Sequence, residues 1–129
     1  AVVVLAAVGI LDLCLAIGKY TSLSAAARRV AREAIVRGEL AAPNRNTWGP
    51  TSYEGSAAAE DEFAATARTA IVCAEADKIE LEVEWIDGGN ALGDRVRVTA
   101  RSPHRWIIPI FPSGSVTELQ AESTMQIVH

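Results

Sequence analysis

An apolar run at the start of the chain limits what the chain can fold into. Residues 1–18 read AVVVLAAVGILDLCLAIG and hold one charged residue, Asp12. As a helix rising ~1.5 Å per residue, this run would span roughly 27 Å, about the hydrocarbon thickness of a bilayer. A soluble core helix would have a polar face, and none is present before Lys19. The pattern predicts a helix that stays in a membrane or in the core of a filament.

A cleaved signal peptide is the alternative for such a run. Its apolar part would be shorter and would end in a small-residue cleavage site, and neither feature is present. We therefore expect the segment to be retained. The chain does not begin with Met, so we also expect that it has been processed or supplied truncated.

The remaining composition predicts one small domain. About 110 residues follow the apolar run, which supports only a small core. The net charge of −4 disfavours free nucleic acid as a partner. Cys14 lies in the apolar run and Cys73 far along the chain, too distant for an intrachain bridge. Two buried free thiols are expected, with an interchain disulfide through Cys73 as the alternative.

The first helix is predicted to continue from the apolar run to about Arg37. Beyond Lys19 the sequence becomes amphipathic, and Gly38 is a plausible stop signal. The predicted inner face repeats at three and four residues; it consists of Leu23, Ala27, Val30 and Ala34.

The middle of the chain is predicted to hold a loop and a second helix. Residues 39–55 carry two prolines and two glycines, which indicates a loop. Trp48 and Tyr53 are expected to pin that loop to the head, with a ligand or partner contact as the alternative. A helix over 56–74 is expected, capped by Ser56 and packed on the first helix through a slim alanine-rich face.

The last third of the chain alternates with period two, which predicts strands over about 79–87, 94–102 and 117–128. The first and last strands carry glutamates on their polar faces, and the middle one carries arginines. Opposite charges on neighbouring strands stabilise a sheet by about 0.2–1 kcal/mol per pair. This favours an antiparallel meander with the arginine strand in the centre and its apolar face on the first helix.

The predicted fold class is therefore α+β. A long N-terminal apolar helix continues as an amphipathic stem (1–38), and a small head (39–129) adds a second helix and a three-stranded antiparallel sheet packed on the stem.

Two segments resemble a known family. The stretch GKYTSLSAAARRVAREAIVRG (18–38) is similar to TadE-like pilins of tight-adherence systems, in which a glycine and a basic residue precede an alanine- and arginine-rich run. The ending resembles their closing strands: RVRVTARSPHRWIIPIF (95–111) has a valine-alternating strand and a proline-containing apolar link, and TELQAESTMQIVH (117–129) has a Ser-Thr-Met pattern.

The resemblance implies a bacterial envelope protein that assembles as a pilin or minor pilin and serves attachment and biofilm formation. Its partners would be copies of itself, with or without a second pilin type, and the inner membrane before assembly. It implies no cofactor. The alternatives are a minor or initiating pseudopilin of the same system, and a single-pass membrane-anchored binding module that does not polymerise.

One position departs from the family. TadE-like pilins usually carry a glutamate early in the apolar helix, whereas Leu5 and its neighbours are aliphatic. Either upstream residues are missing or another residue has taken that role, and Asp12 is the acidic candidate.

Asp12 is the main candidate for an assembly residue. A carboxyl group in the centre of a bilayer is costly and usually marks a partner. Lys19 or the amino group of Ala1 in a staggered neighbouring subunit could supply it. The alternatives are a protonated acid bonded to a backbone carbonyl, and a carboxyl group that snorkels to the lipid interface. Gly9 and Gly18 are expected to permit close helix packing, rather than to act as hinges.

A second predicted assembly feature is electrostatic. Arginines of the stem are expected to meet the acidic second helix or the glutamate strands of a neighbouring subunit. The residues concerned are Arg28, Arg29, Arg32, Glu80, Glu82 and Glu84.

Other polar groups indicate no chemistry. Asp87, Asn90 and Asp94 offer oxygen ligands for calcium, but their spacing fits a plain hairpin turn better. His104 and His129 are expected at the surface. The apolar cluster 106–111 is expected to cover the open end of the sheet, with a subunit contact as the alternative. We find no catalytic motif and no zinc spacing, so we expect no enzyme.

The charge distribution argues against an external head. The basic residues of the stem all follow the apolar run, and the positive-inside rule would then place the head in the cytoplasm. A basic leader removed before maturation, which the family resemblance implies, would restore the balance.

Overall fold

In a computed structural model of the chain, a long helix and an antiparallel sheet form most of the fold. The structure describes residues 1–71, 75–107 and 116–128. The first helix, α1, is Val2–Ile35 and holds 34 residues. It ends two residues before the predicted Arg37, and the Arg37 N–H then donates to the Ala34 carbonyl oxygen at 3.1 Å.

The sheet has four strands, not the predicted three. The strands are β1 (Tyr53–Ser56), β2 (Glu80–Trp85), β3 (Arg95–Arg105) and β4 (Val116–Gln126), and they lie in the order β1-β2-β3-β4 with every pair antiparallel. The additional strand, β1, occupies the end of the segment predicted as a loop. Four residues are too few to display a clear alternation, so its pairing with β2 decides its structure.

The predicted meander with the arginine strand in its centre is confirmed for β2, β3 and β4. Arg97 lies opposite Glu84 in the register and donates to its Oε2 atom at 2.7 Å. Arg101 makes a hydrogen bond with Glu82, one of its diagonal neighbours. Glutamates on β2 therefore meet arginines on β3, as the charge pattern indicates.

The second half of α1 belongs to the core. Its buried face packs on the inward faces of β3 and β4, and α1 also contacts α2. Most of the side chains that α1 contributes to this core are alanines, and only Leu23 and Val30 are larger. The alanines let the helix approach the sheet closely. Opposite them lie buried aliphatic residues of the sheet: Leu81, Val83, Val96, Val98, Ala100 and Ala121.

The second helix is shorter than predicted. Helix α2 is Glu62–Arg68, and its cap is Asp61, whose Oδ1 atom accepts from the Ala64 N–H at 2.8 Å. Ser56, the predicted cap, is the last residue of β1. Because Ser56 is paired in β1, it does not cap α2, and Asp61 caps the helix instead. Residues 72–74 of the predicted helix lie outside the described residues.

The loop before β1 is pinned to the head by aromatic contacts, as predicted. The ring of Phe63 on α2 lies 4.2 Å from that of Trp48 and 4.3 Å from that of Tyr53, centroid to centroid. Glu62 accepts a hydrogen bond from Trp48 Nε1 at 2.9 Å, and Arg37 lies over the Trp48 ring. Several interactions lower the pKa of Glu62. The hydrogen bond from Trp48 is the largest of them, and Arg37 also contributes.

Candidate functional site

The first half of α1 presents a largely exposed apolar surface. Only 11% of the most apolar 18-residue window of α1 is buried, whereas a core helix of a soluble protein would be mostly buried. By length and composition this helix could cross a membrane. The large apolar side chains that remain exposed on it are Val2, Val3, Val4, Ile10, Leu11, Leu13, Leu15 and Ile17.

A polar contact marks the point at which the sheet first covers α1. The Asp12 side chain is fully buried, and its Oδ2 atom accepts a hydrogen bond from the backbone N–H of Ile107 at 2.7 Å. Ile107 lies two residues after the end of β3. The chain at the end of this strand therefore contacts α1 about two helical turns closer to the N-terminus than Lys19. The contact fixes the end of the sheet to the apolar helix.

His104 lies beside this polar contact. Its side chain is buried, and its Nε2 atom lies 3.7 Å from Oδ1 of Asp12, which is longer than a hydrogen bond. Trp106 packs against the His104 ring edge to face at 4.7 Å. Burial lowers the pKa of His104, the positive charge of Lys19 lowers it further, and Asp12 opposes both. The balance of these effects favours the neutral imidazole.

The prediction that His104 is a surface residue is wrong. Val96, Val98, Ala100 and Ser102 alternate inward along β3, and His104 is the next residue in that alternation. The predicted strand ended at residue 102. Continuing the period-two pattern to 104 would have placed His104 inward, on the same face as the core. His129 lies outside the described residues.

The structure does not bring the predicted assembly residues together within one chain. Ala1 is exposed at the end of α1, and Gly9, Gly18 and Lys19 are half-buried along it. Asp12 alone is fully buried. A neighbouring subunit would reach the Asp12 carboxyl group only if the end of β3 moved away. Pairing of Asp12 with a neighbour's Lys19 or Ala1 stays a prediction.

The predicted electrostatic residues divide into two groups. Arg28, Arg29 and Arg32 are exposed, and none of them makes an ion pair within residues 1–71, 75–107 and 116–128. Glu82 and Glu84 are already paired with arginines of β3. Stem arginines are thus available to another molecule, whereas two of the three glutamates have partners in their own chain.

The two aspartates of the loop between β2 and β3 make hydrogen bonds within that loop or with the start of β3. Asp87 accepts from the backbone N–H of Arg95 at 2.9 Å and pairs with its guanidinium group. Those hydrogen bonds lower the pKa of Asp87. Asp94 accepts from the Ala91 N–H at 3.1 Å. Among the described residues no group of three or more His, Cys, Asp or Glu side chains could hold a metal ion.

Two predicted features lie partly outside the described residues. Cys73 lies outside them. Cys14 is a free and exposed cysteine on α1, contrary to the expectation that it is buried. Of the apolar cluster 106–111, only Trp106 and Ile107 are described. Trp106 donates from Nε1 to the Thr117 hydroxyl at 2.7 Å, and Ile107 is exposed.

Comparison of the chain with protein-family models, with curated proteins and with solved structures gives no match.

Proposed function

We propose that this chain is a non-enzymatic, pilin-like subunit of a bacterial surface filament. The observation that carries the proposal is the division of α1: its second half lies in the core of the head, and its first half exposes eight large apolar side chains. Exposed apolar surface of this extent marks a contact with a membrane or with another protein. In this proposal a membrane covers it before assembly and neighbouring copies cover it afterwards.

The composition of the exposed half supports packing between copies. Gly9, Gly18 and several alanines lie among the larger residues. Small residues let helix backbones approach closely where lipid or other helices surround them. The resemblance of the stem and of the closing strands to TadE-like pilins points to the same assembly, and to attachment as its role.

The buried Asp12 changes the mechanism that we propose for assembly. Its carboxyl group holds the end of β3 through the Ile107 N–H. This contact keeps the head at a fixed position along the helix, so that each subunit presents the same length of apolar helix to its neighbours. In this mechanism Asp12 affects assembly by fixing where the head of its own subunit lies along the helix.

Substitution of one exposed residue separates filament packing from membrane insertion. Ile10→Trp keeps the helix apolar, so insertion should be unchanged, but the larger ring should not fit between closely packed helices. Leu92→Trp is the matched control, because Leu92 is equally exposed (64%) and lies outside α1. We expect normal membrane integration of both variants and sheared filaments from the control only. Wild-type amounts of filament from Ile10→Trp would contradict helix packing.

A second candidate function is a membrane-anchored binding module that does not polymerise. The observation that favours it is that four basic residues follow the apolar run, namely Lys19, Arg28, Arg29 and Arg32. By the positive-inside rule, such a distribution would correspond to a head in the cytoplasm. This candidate predicts that the chain stays in the membrane fraction after shearing. A minor or initiating subunit of the same filament would instead be found in sheared filaments at low abundance.

A further inference from the structure

An overhang of β3 forms a cleft beside the apolar helix. Strand β2 begins at Glu80, opposite Arg101, whereas β3 continues to Arg105. Among the residues that the structure describes, 102–105 therefore have β4 on one side and no strand on the other. A cleft of about 340 Å³ occupies this place. It is lined by Lys19, Lys78, Pro103, Arg105 and Val116.

The cleft is cationic. Of the five described residues that line it, three carry a positive charge and none carries a negative one. Lys19 and Arg105 make no ion pair within the part of the chain that the structure describes, and Lys78 pairs with Glu75 in an exposed contact of 3.1 Å. Exposed pairs of this kind contribute about 0–1 kcal/mol, so an anion can compete for Lys78. Three cations converging on one cleft fit a phosphate group.

The charge changes sign on the side of the cleft away from Asp12. A neighbouring hollow shares Lys78 and Pro103 with the cleft, but Asp77, Glu80 and Glu118 also line it. These carboxylates disfavour an anion there. The favourable position for an anion is therefore the end of the overhang, next to Lys19 and Arg105.

The cleft lies where the apolar helix would leave a membrane. Lys19 is the first basic residue after the apolar run, and Asp12 lies about 10 Å further along the helix axis towards the apolar end. Trp106, whose residue type is enriched at membrane–water interfaces, directly follows Arg105 in the chain. With α1 inserted, these cations lie at the level of the lipid headgroups. Lysine and arginine reach such headgroups with their long side chains.

We propose that this cleft binds the phosphate of an anionic phospholipid headgroup while the subunit waits in the membrane. The proposal rests on the proposed function in one respect, the insertion of α1. The bound headgroup would hold the head against the membrane surface. Leaving the membrane for a filament would then require its release.

The test uses the full chain in detergent micelles, titrated with dihexanoyl-phosphatidylglycerol and followed by the backbone amide signals of Lys78 and Arg105. Dihexanoyl-phosphatidylcholine and inorganic phosphate are titrated in parallel. We expect saturable shifts with phosphatidylglycerol and much weaker ones with the other two probes. An equal response to inorganic phosphate would overturn the assignment to a lipid, and the absence of a shift with any of the three would overturn the site.

Two variants and a control locate the binding. Arg105→Gln and Lys19→Gln should each weaken the binding of phosphatidylglycerol about fivefold, as expected for one basic residue near an anionic surface. The control is Arg45→Gln, which also removes one positive charge. Arg45 pairs with Glu33, and Glu33 lies 14 residues further along α1 than Lys19. This variant should leave the affinity unchanged. An equal loss in Arg45→Gln would mean that net charge alone attracts the lipid, and would overturn the proposal.

Membrane integration of the wild-type chain is measured separately, by resistance to alkaline extraction. An integrated chain with no response in the cleft would overturn the lipid site alone. A chain that alkaline treatment releases would overturn membrane insertion, and the proposed function with it.

Discussion

The Oδ2 atom of Asp12 accepts a 2.7 Å hydrogen bond from the backbone N–H of Ile107, which lies 95 residues further along the chain. This bond joins the apolar helix to the end of β3. Asp12 is fully buried at this contact, whereas Leu11 and Leu13 on either side of it are exposed.

Removing the Asp12 carboxyl group should loosen the end of β3. Asp12→Ala leaves the Ile107 N–H without its acceptor, which costs about 1–2 kcal/mol. Asp12→Asn keeps an acceptor oxygen of nearly the same shape and should cost less. Amide hydrogen exchange at Ile107 measures the effect directly, and we expect it to accelerate in the order wild type, Asn variant, Ala variant.

The same variants test the role of Asp12 in assembly. We expect less filament from Asp12→Ala with the rest of the head still folded, since the core around Leu81 and Val98 does not involve Asp12. Unchanged filament yield together with accelerated exchange at Ile107 would show that the position of the head on the helix has no effect on assembly.

The buried His104 should make the stability of the head depend on pH. Its pKa is lowered in the folded chain, so the unfolded chain binds a proton more readily as the pH falls through 6.5. The stabilisation is fully present above about pH 6.5 and is lost as the pH falls towards the lowered pKa. Urea unfolding between pH 7.5 and pH 5 should show this loss.

The control for this pH dependence is His104→Gln, which fills a similar volume and does not titrate. Its free energy of unfolding should fall less than that of the wild type over the same range. Parallel curves for the two chains would mean that His104 does not cause the loss, and that carboxyl groups elsewhere do.

Gly49 is required by a close contact with Trp85. Gly49 has a φ of +85°, and a Cβ atom there would overlap the Trp85 ring. Gly49→Ala should therefore combine backbone strain of about 1–2 kcal/mol with overpacking of about 1–3 kcal/mol. Gly88→Ala is the matched control, since Gly88 has a φ of +76° and nothing within 4 Å of the added atom. Thermal unfolding of both variants should show a clearly larger loss for Gly49→Ala.

Reversing a charge on the central strand should destabilise the sheet. Arg97 pairs with Glu84 at 2.7 Å, and both side chains are partly exposed, so the pair contributes only modestly to stability. Arg97→Glu replaces this attraction with repulsion from Glu84 and also from Glu82 and Glu122, which interact with Arg97. We expect a lower denaturation midpoint that partly recovers in 1 M salt and in the double variant Arg97→Glu/Glu84→Arg. Failure of the double variant to recover would show that packing causes the loss.

The strongly periodic parts of the fold were predictable from the sequence. The alternation of charged and apolar residues over 80–85 and 95–101 specified both the strands and their order, because opposite charges on neighbouring strands attract. The spacing of Leu23 and Val30 similarly specified the buried face of α1. These patterns arise from local geometry and require no knowledge of distant contacts.

The parts that depend on long-range contacts were not predictable. Ser56 has the chemistry of a helix cap, but its pairing with Glu80 makes it the end of β1 instead. Asp12 and His104 are each ambiguous as single residues, since nothing local indicates that a strand end reaches the helix there. Their contact depends on how far β3 extends, and strand ends are poorly determined by sequence patterns.

The central claim, that copies of this chain cover the apolar half of α1, is tested most directly by imaging. Material sheared from the surface of the producing cells would be examined by cryo-electron microscopy. We predict filaments of this chain with residues 2–17 of α1 packed against those of neighbouring copies at the axis and the sheets facing outward. Finding the chain only in the membrane fraction, with its head open to protease solely from the cytoplasmic side, would contradict the claim.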